Sequence, residues 1–115
     1  MLTPIVKWAQ NKSTIDLTVV LTDVTNPQID ITEDSLSFVG TGVGAQGENM
    51  YQLSIDFFDY VSVCESSYEV LQRHVAFKIV KKDKQEEWPR LMKEKSKPAW
   101  LKIDFEKWKV RYSRV

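Results

Sequence analysis

The feature that most limits the fold is an alternation of period two. Ile15, Leu17, Val19 and Leu21 are separated by Asp16, Thr18 and Val20. A β-strand turns successive side chains to opposite faces, so such a run is a strand with one buried face. The period returns in Tyr51, Leu53, Ile55 and Phe57, in Val75, Phe77 and Ile79, and more briefly in Leu36 and Phe38. Asp23 to Pro27 supplies turn chemistry, and Gly40, Gly42, Gly44 and Gly47 predict a flexible connection between two strands. Strands are expected near 4–9, 14–22, 28–32, 35–40, 49–58, 67–72 and 74–81, about seven in all. No segment between them is a credible crossover helix, which argues against a parallel sheet. The expectation is an all-β fold, a compact antiparallel β-sandwich. Its core should include Leu17, Val19, Phe38, Leu53, Ile55, Phe77 and Ile79.

The pattern changes at Lys81. Residues 83–115 are rich in Lys and Trp and do not alternate. One or two helical turns are expected over 86–94, with Pro89 in the first turn and Pro98 as a stop, and another over 103–108 with Asp104 as a cap. The chain therefore reads as a single domain, 1–115. Its sandwich spans 1–82, and a short irregular or helical C-terminal segment of binding character spans 83–115.

Composition narrows the chemistry. No apolar run approaches the ~20 residues of a membrane span, and Met1 to Pro4 lacks the basic and apolar regions of a secretory signal. Cys64 is the only cysteine and His74 the only histidine, so an internal disulfide and a Cys- or His-cluster metal site are ruled out. A reducing, cytoplasmic setting, a monomer and no cofactor are expected. The zero net charge hides an asymmetry. Residues 1–60 hold two basic and eight acidic side chains, a net of −6, and residues 61–115 hold fourteen and eight, a net of +6. A basic half suits an acidic partner, either nucleic acid or a protein surface.

No catalytic constellation emerges. The glycine cluster lacks the Gly-Lys-Ser/Thr ending of a phosphate loop, and no helix follows it. His74 has no neighbouring nucleophile motif and reads as a surface or edge residue. Cys64 lies in a loop-like stretch, and the acidic pairs Glu33-Asp34 and Glu86-Glu87 read as solvated. The sharpest signal is the C-terminal set Trp88, Arg90, Lys93, Lys95, Lys97, Trp100, Lys102, Phe105, Lys107 and Trp108. Aromatics interleaved with cations suit stacking on nucleic acid or anchoring in a protein interface. Trp88 and Trp100 are expected to be half core, whereas Phe105 and Trp108 lie past the last strand and read as surface anchors.

These residues also carry a resemblance. Trp88-Pro89-Arg90-Leu91-Met92-Lys93-Glu94-Lys95-Ser96-Lys97 and Trp100-Leu101-Lys102-Ile103-Asp104-Phe105-Glu106-Lys107-Trp108 resemble the C-terminal signature of the CS domain family, in its branch of small co-chaperones of heat-shock protein 90. Trp8-Ala9-Gln10 matches the family's early Trp, so the resemblance covers nearly the whole chain. It implies a β-sandwich without enzymatic activity that binds the ATP-bound, closed form of that chaperone and slows its ATP turnover. Carried over by position, the partner-binding residues are Arg90, Lys93, Lys97, Trp100, Phe105 and Trp108, and neither nucleic acid nor a membrane is a partner of the chain itself. The alternative lies in the same family. The stretch from Asn26-Pro27 to Glu48-Asn49 looks more like the N-terminal CS domain of a membrane-bound 3-hydroxyacyl-CoA dehydratase, an adaptor whose catalytic part is absent from this chain. Two departures limit the transfer. The family's prostaglandin-E synthase activity is tied to a Tyr directly after the first Trp, where this chain has Ala9. Its co-chaperones continue into an acidic tail, where this chain runs Lys109-Val110-Arg111-Tyr112-Ser113-Arg114-Val115. The purified chain is therefore expected to show no glutathione-dependent prostaglandin-E synthesis. Turnover that denaturation abolishes would contradict the role given to Ala9.

Overall fold

The computed structural model describes residues 2–44, 47–82, 88–95 and 98–104. Eight strands follow in chain order: β1 (Val6–Gln10), β2 (Thr14–Val19), β3 (Thr22–Ile31), β4 (Ser35–Gly44), β5 (Gly47–Asp56), β6 (Val61–Val70), β7 (Val75–Lys81) and β8 (Leu101–Ile103). They form two sheets, one ordered β6-β7-β2-β1-β8 and the other β3-β4-β5. The expected all-β sandwich is the fold observed, and the alternation is why. Ile15, Leu17 and Val19 of β2 stand opposite Ile79, Phe77 and Val75 of β7, and Leu36 and Phe38 of β4 stand opposite Ile55 and Leu53 of β5. All seven residues expected in the core are buried.

Four local expectations are corrected. Asp23 to Pro27 does not end a strand. Asp23 and Asn26 take positive φ (51° each) inside β3 and kink it, while pairing with β4 resumes between register shifts. Short polar residues tolerate that conformation, so turn chemistry here makes bulges. The glycines are not a loose connection either, because β4 and β5 stay paired out to Gly44↔Gly47. A Cβ on Gly44 would stand 2.7 Å from the Tyr51 hydroxyl, which itself donates to the Gly47 carbonyl at 3.1 Å. Gly47 has φ of 87°, where side chains are strained. The sixth strand begins at Val61, not near 67, so Cys64 lies on a strand with its side chain exposed. A register shift between Ser62 and Ser67 explains the loop-like sequence. His74 is half-buried in the turn before β7.

The fourth correction concerns the C-terminal segment. Residues 88–95 hold no helical turn, and Leu101–Ile103 form β8, which pairs parallel with β1. The parallel pair arises without a crossover helix. The chain reaches β1 from the other sheet, after bridging Met92 to Phe57 at the end of β5. Trp88, Leu91 and Leu101 are buried with the two sheets in one core.

Phe77 marks the middle of that core, 2% exposed, with the Tyr68 ring 5.9 Å away. Phe77→Ala is expected to cost about 3–5 kcal/mol in urea unfolding. Wild-type stability in that variant would mean that the β2–β7 register is misassigned.

Candidate functional site

Residues 88–95 and 98–104 bond to both sheets, the first stretch to the end of β5 and the second to β1. The first stretch starts at Trp88, held by the side chain of Gln10. The Trp88 amide donates to Gln10 Oε1 at 2.8 Å, and Gln10 Nε2 donates to the Trp88 carbonyl at 2.6 Å. Gln10 thus pairs with that peptide as a neighbouring strand would. Lys81, fully buried, donates from Nζ to Gln10 Oε1 and to the Asn11 carbonyl, both at 2.7 Å, and its ammonium lies 5.6 Å from the centre of a Trp88 ring. An ammonium only donates, so the amide oxygen of Gln10 must face it.

Beyond Trp88 the segment pairs with the end of β5. Phe58 N–H donates to the Leu91 carbonyl at 2.9 Å, and Lys93 N–H donates to the Asp56 carbonyl at 2.9 Å. The Trp88 ring packs at 6.1 Å from Phe57 and 6.0 Å from Phe58. The return to the other sheet is fixed by Val6 N–H donating to the Trp100 carbonyl at 2.9 Å and by Asp104 N–H donating to the Trp8 carbonyl at 2.8 Å.

This course sets the positions of the expected partner-binding residues. Arg90 is half-buried, its guanidinium carbon 4.9 Å from the Phe58 ring centre and its Nη2 donating to the Lys93 carbonyl at 2.8 Å. Lys93 is exposed and lines a cavity of about 400 Å³ with Asp34, Asp56, Asp59, Phe58 and Tyr60. Trp100 is half-buried against the core, and Trp88 is buried more deeply than the half-core position expected of it. Arg90, Lys93 and Trp100 are therefore all carried by one seam. Lys97, Phe105 and Trp108 lie outside the described residues. Sequence reasoning missed a second cavity of about 260 Å³ with apolar walls from Trp8, Leu91, Met92, Leu101 and Ile103, and Arg90 and Lys95 among its lining. It also missed Gln10 and Lys81. Their signal was the strand period, because Lys81 continues the inward phase of Val75, Phe77 and Ile79, and Gln10 continues that of Val6 and Trp8. Ala9, beside Trp8, is fully buried. Among the described residues no group of three His, Cys, Asp or Glu could hold a metal ion, and no helix is long and apolar enough to cross a membrane.

The family model for the CS domain matches residues 4–81. The chain belongs to the CS domain family. A bovine (Bos taurus) very-long-chain (3R)-3-hydroxyacyl-CoA dehydratase 3 is 43% identical to this CS domain over 94% of the chain, but the match spans only 29% of that enzyme. Protein wos2 of Schizosaccharomyces pombe is 40% identical over 91% of the chain and 59% of its own length. Co-chaperone protein p23-1 of Arabidopsis thaliana is 32% identical over 91% of the chain and 43% of its own length. The CS domain thus spans less than two thirds of each of these relatives. The solved structure of a nuclear movement protein from E. cuniculi shares the fold, with a TM-score of 0.55 at 16% identity, covering 76% of this chain and 96% of that one.

The Gln10 anchor has a measurable consequence. Gln10→Ala leaves the buried Lys81 ammonium short of an acceptor and both polar groups of the Trp88 peptide without their partner. The expected cost is about 3 kcal/mol. Hydrogen exchange should accelerate most at the amides of Phe58 and Lys93, which depend on the seam, and least along β4 and β5. Uniform acceleration would show that the seam does not loosen as a unit.

Proposed function

We propose that this CS domain is a non-enzymatic interaction module that binds heat-shock protein 90 in its ATP-bound, closed form and slows its ATP cycle. The observation that carries the reading is the seam. The stretch whose sequence resembles the co-chaperone signature is pinned to both sheets of the sandwich and carries Arg90, Lys93, Lys95 and Trp100. The likeness to co-chaperone protein p23-1 supports it. A partner's equilibrium moves only by the difference in affinity for its two states. A small domain that contacts both closed halves of a dimer favours closure and delays reopening. The cations add encounter rate toward an acidic surface, and the aromatics add residence time.

A second reading rests on a specific observation. The dehydratases match most of this chain while the chain spans under a third of their length. In that case the domain is the recognition module of a longer enzyme and recruits a chaperone or another protein through the same seam.

Pull-down of the chaperone with ADP and with a non-hydrolysable ATP analogue tests the proposal, and capture only with the analogue is expected. Phe105→Ala/Trp108→Ala is expected to abolish that capture while keeping the melting temperature within a few degrees, because each interface anchor contributes about 2 kcal/mol or more to binding. Trp88→Ala is expected to lower stability, because its ring packs on Phe57 and Phe58. Nucleotide-independent capture would rule out recognition of the closed state, and undiminished capture by the double variant would reject Phe105 and Trp108 as anchors.

A further inference from the structure

Four strands lie at sheet edges, β6 and β8 in the larger sheet and β3 and β5 in the smaller. A bare edge is a template for another strand, and proteins protect edges by cover, shortness, charge or bulges. Three of the four are protected. β8 is three residues long and carries Lys102. β5 is covered near one end by Leu2, which donates to the Met50 carbonyl at 3.2 Å and accepts from Gln52 N–H at 2.8 Å, and at the other by Leu91 and Lys93. β3 is kinked at Asp23 and Asn26 and contains Pro27. β6 differs. It is covered only at Val61 and bulged only between Ser62 and Ser67, and it has no Pro, Lys or Arg; its charges, Glu65 and Glu69, guard it against an acidic strand but not a basic one.

The ladder tells where the β6 backbone points. Lys81 N–H donates to the Ser13 carbonyl, on the β2 side of β7. Counting back by twos, Ile79, Phe77 and Val75 also face β2, and Val80, Lys78 and Ala76 face β6. Ser67 and Glu69 pair with Lys78 and Ala76, so their backbone groups are used inward. Tyr68 and Val70 pair with Phe77 and Val75, so their N–H and C=O groups point away from the sheet. Val61 is in the same phase, and its outward N–H is taken by the Glu33 carbonyl at 2.7 Å. Among the described residues nothing takes the groups of Tyr68 and Val70. The bulge beside them is satisfied internally. The Ser66 hydroxyl donates to the Ser62 carbonyl at 2.7 Å and accepts Val80 N–H at 3.0 Å.

The side chains here are those of a recognition edge. Val63, Tyr68, Val70 and Leu71 are exposed by 37–51%. The charge is mostly negative. Glu65 and Glu69 lie on β6, Glu33 is bonded at its start, and Asp23 N–H donates to the Gln72 carbonyl just past its end at 2.7 Å. Arg73 in the following turn, Lys78 on β7 and Lys82, whose N–H bonds the Tyr60 carbonyl just before β6, are cations near it. A second copy would bring its own Glu65 and Glu69 to the same ribbon, and like charges across a strand pair destabilise it. A basic strand with alternating apolar side chains complements both the backbone and the charge.

We propose that the outer edge of β6, from Ser66 to Val70, accepts an extended basic peptide strand of another protein by β-strand addition. This surface is separate from the seam and does not rest on the chaperone reading.

The test titrates the full 115-residue protein, followed by amide NMR, with an acetylated peptide alternating valine and lysine. Two control peptides carry glutamate for lysine, or N-methyl groups on the alternate amides that would pair. Expected are shifts at Tyr68, Val70 and Leu71, at least about tenfold weaker binding of the glutamate peptide, and none of the N-methylated one. Val70→Pro removes an outward N–H without taking a bond from the β6–β7 ladder, and it should abolish binding. Tyr68→Lys, which guards the edge with a charge, should also do so and serves if the proline variant fails to fold. Absence of shifts, shifts confined to the seam amides of Leu91, Lys93 and Trp100, or equal binding of the N-methylated peptide would overturn the proposal. Sedimentation showing that the protein alone dimerises through β6 would overturn the choice of a basic partner strand.

Discussion

One buried hydrogen-bonded knot ties the rest of the structure together. Lys81 is completely buried, and a buried ammonium is tolerated only where acceptors surround it. Two acceptors come from consecutive residues, the side chain of Gln10 and the carbonyl of Asn11. Asn11 is itself held in place, because its Oδ1 accepts Ser13 N–H at 2.8 Å and Thr14 N–H at 2.7 Å and so shapes the turn between β1 and β2. The remaining capacity of Gln10 goes to the Trp88 peptide, which starts the seam. The end of β7, the β1–β2 turn and the C-terminal segment therefore share one set of polar atoms. Loosening the β1–β2 turn takes acceptors from a buried charge, and loosening the C-terminal segment takes from Gln10 its backbone partner.

That knot explains why a segment with little regular structure holds a fixed course. Residues 88–95 make only an isolated bridge to Phe57. On its own such a segment would lose conformational entropy on ordering and gain few backbone bonds in return. Here Trp88 buries its rings against Phe57 and Phe58, Leu91 and Leu101 enter the core, and Gln10 satisfies the first peptide. A segment ordered before its partner arrives spares the complex that entropy, which is how preorganisation raises affinity without added contacts.

Most of the sandwich was legible because alternation is a local signal that the ladder then obeys. The core residues of β2, β4, β5 and β7 follow from it directly. What the sequence hid was the outcome of competition between local and long-range forces. Asp23 and Asn26 carry turn signals, yet the pairing of β3 with β4 persists around them. Pro89 and Glu94 suit a helical turn, yet the backbone at the end of β5 takes up the Leu91 carbonyl and the Lys93 amide in an isolated bridge. The parallel β8 was invisible because three residues are too few to show a period. At the site, charge and aromatic content marked the stretch whose described part forms the seam, but they gave Trp88 and Trp100 the same half-core place. Trp88 is buried and Trp100 only half so, which depends on contacts to Phe57 and Phe58 far away in sequence. Lys81 was legible in phase and illegible in chemistry, since a lysine at an inward position reads as the end of a strand until Gln10 is seen beside it.

The placement of the two surfaces decides how they combine. The seam joins the larger sheet at β1 and β8, and the bare edge is β6, at the other end of the order β6-β7-β2-β1-β8. At β1 and β8 the seam lies four strand spacings from β6, about 19 Å at the usual inter-strand distance, and where it starts, beside Lys81 opposite Val61, it lies at the other end of β6 from Ser66–Val70. Coupling across such a span needs an element with two packed arrangements that both sites bias. The intervening strands are not of that kind. Ile15, Leu17, Val19, Val75, Phe77 and Ile79 are all buried and held in one continuous register between β2 and β7. A shift of one residue would turn the whole set outward, so no second register lies within reach. Sites farther apart than about 10 Å with no shared partner contribute additively. A ligand on one surface should therefore leave affinity at the other unchanged. Any link between two proteins held this way would come from tethering them on one rigid body, not from a change of shape.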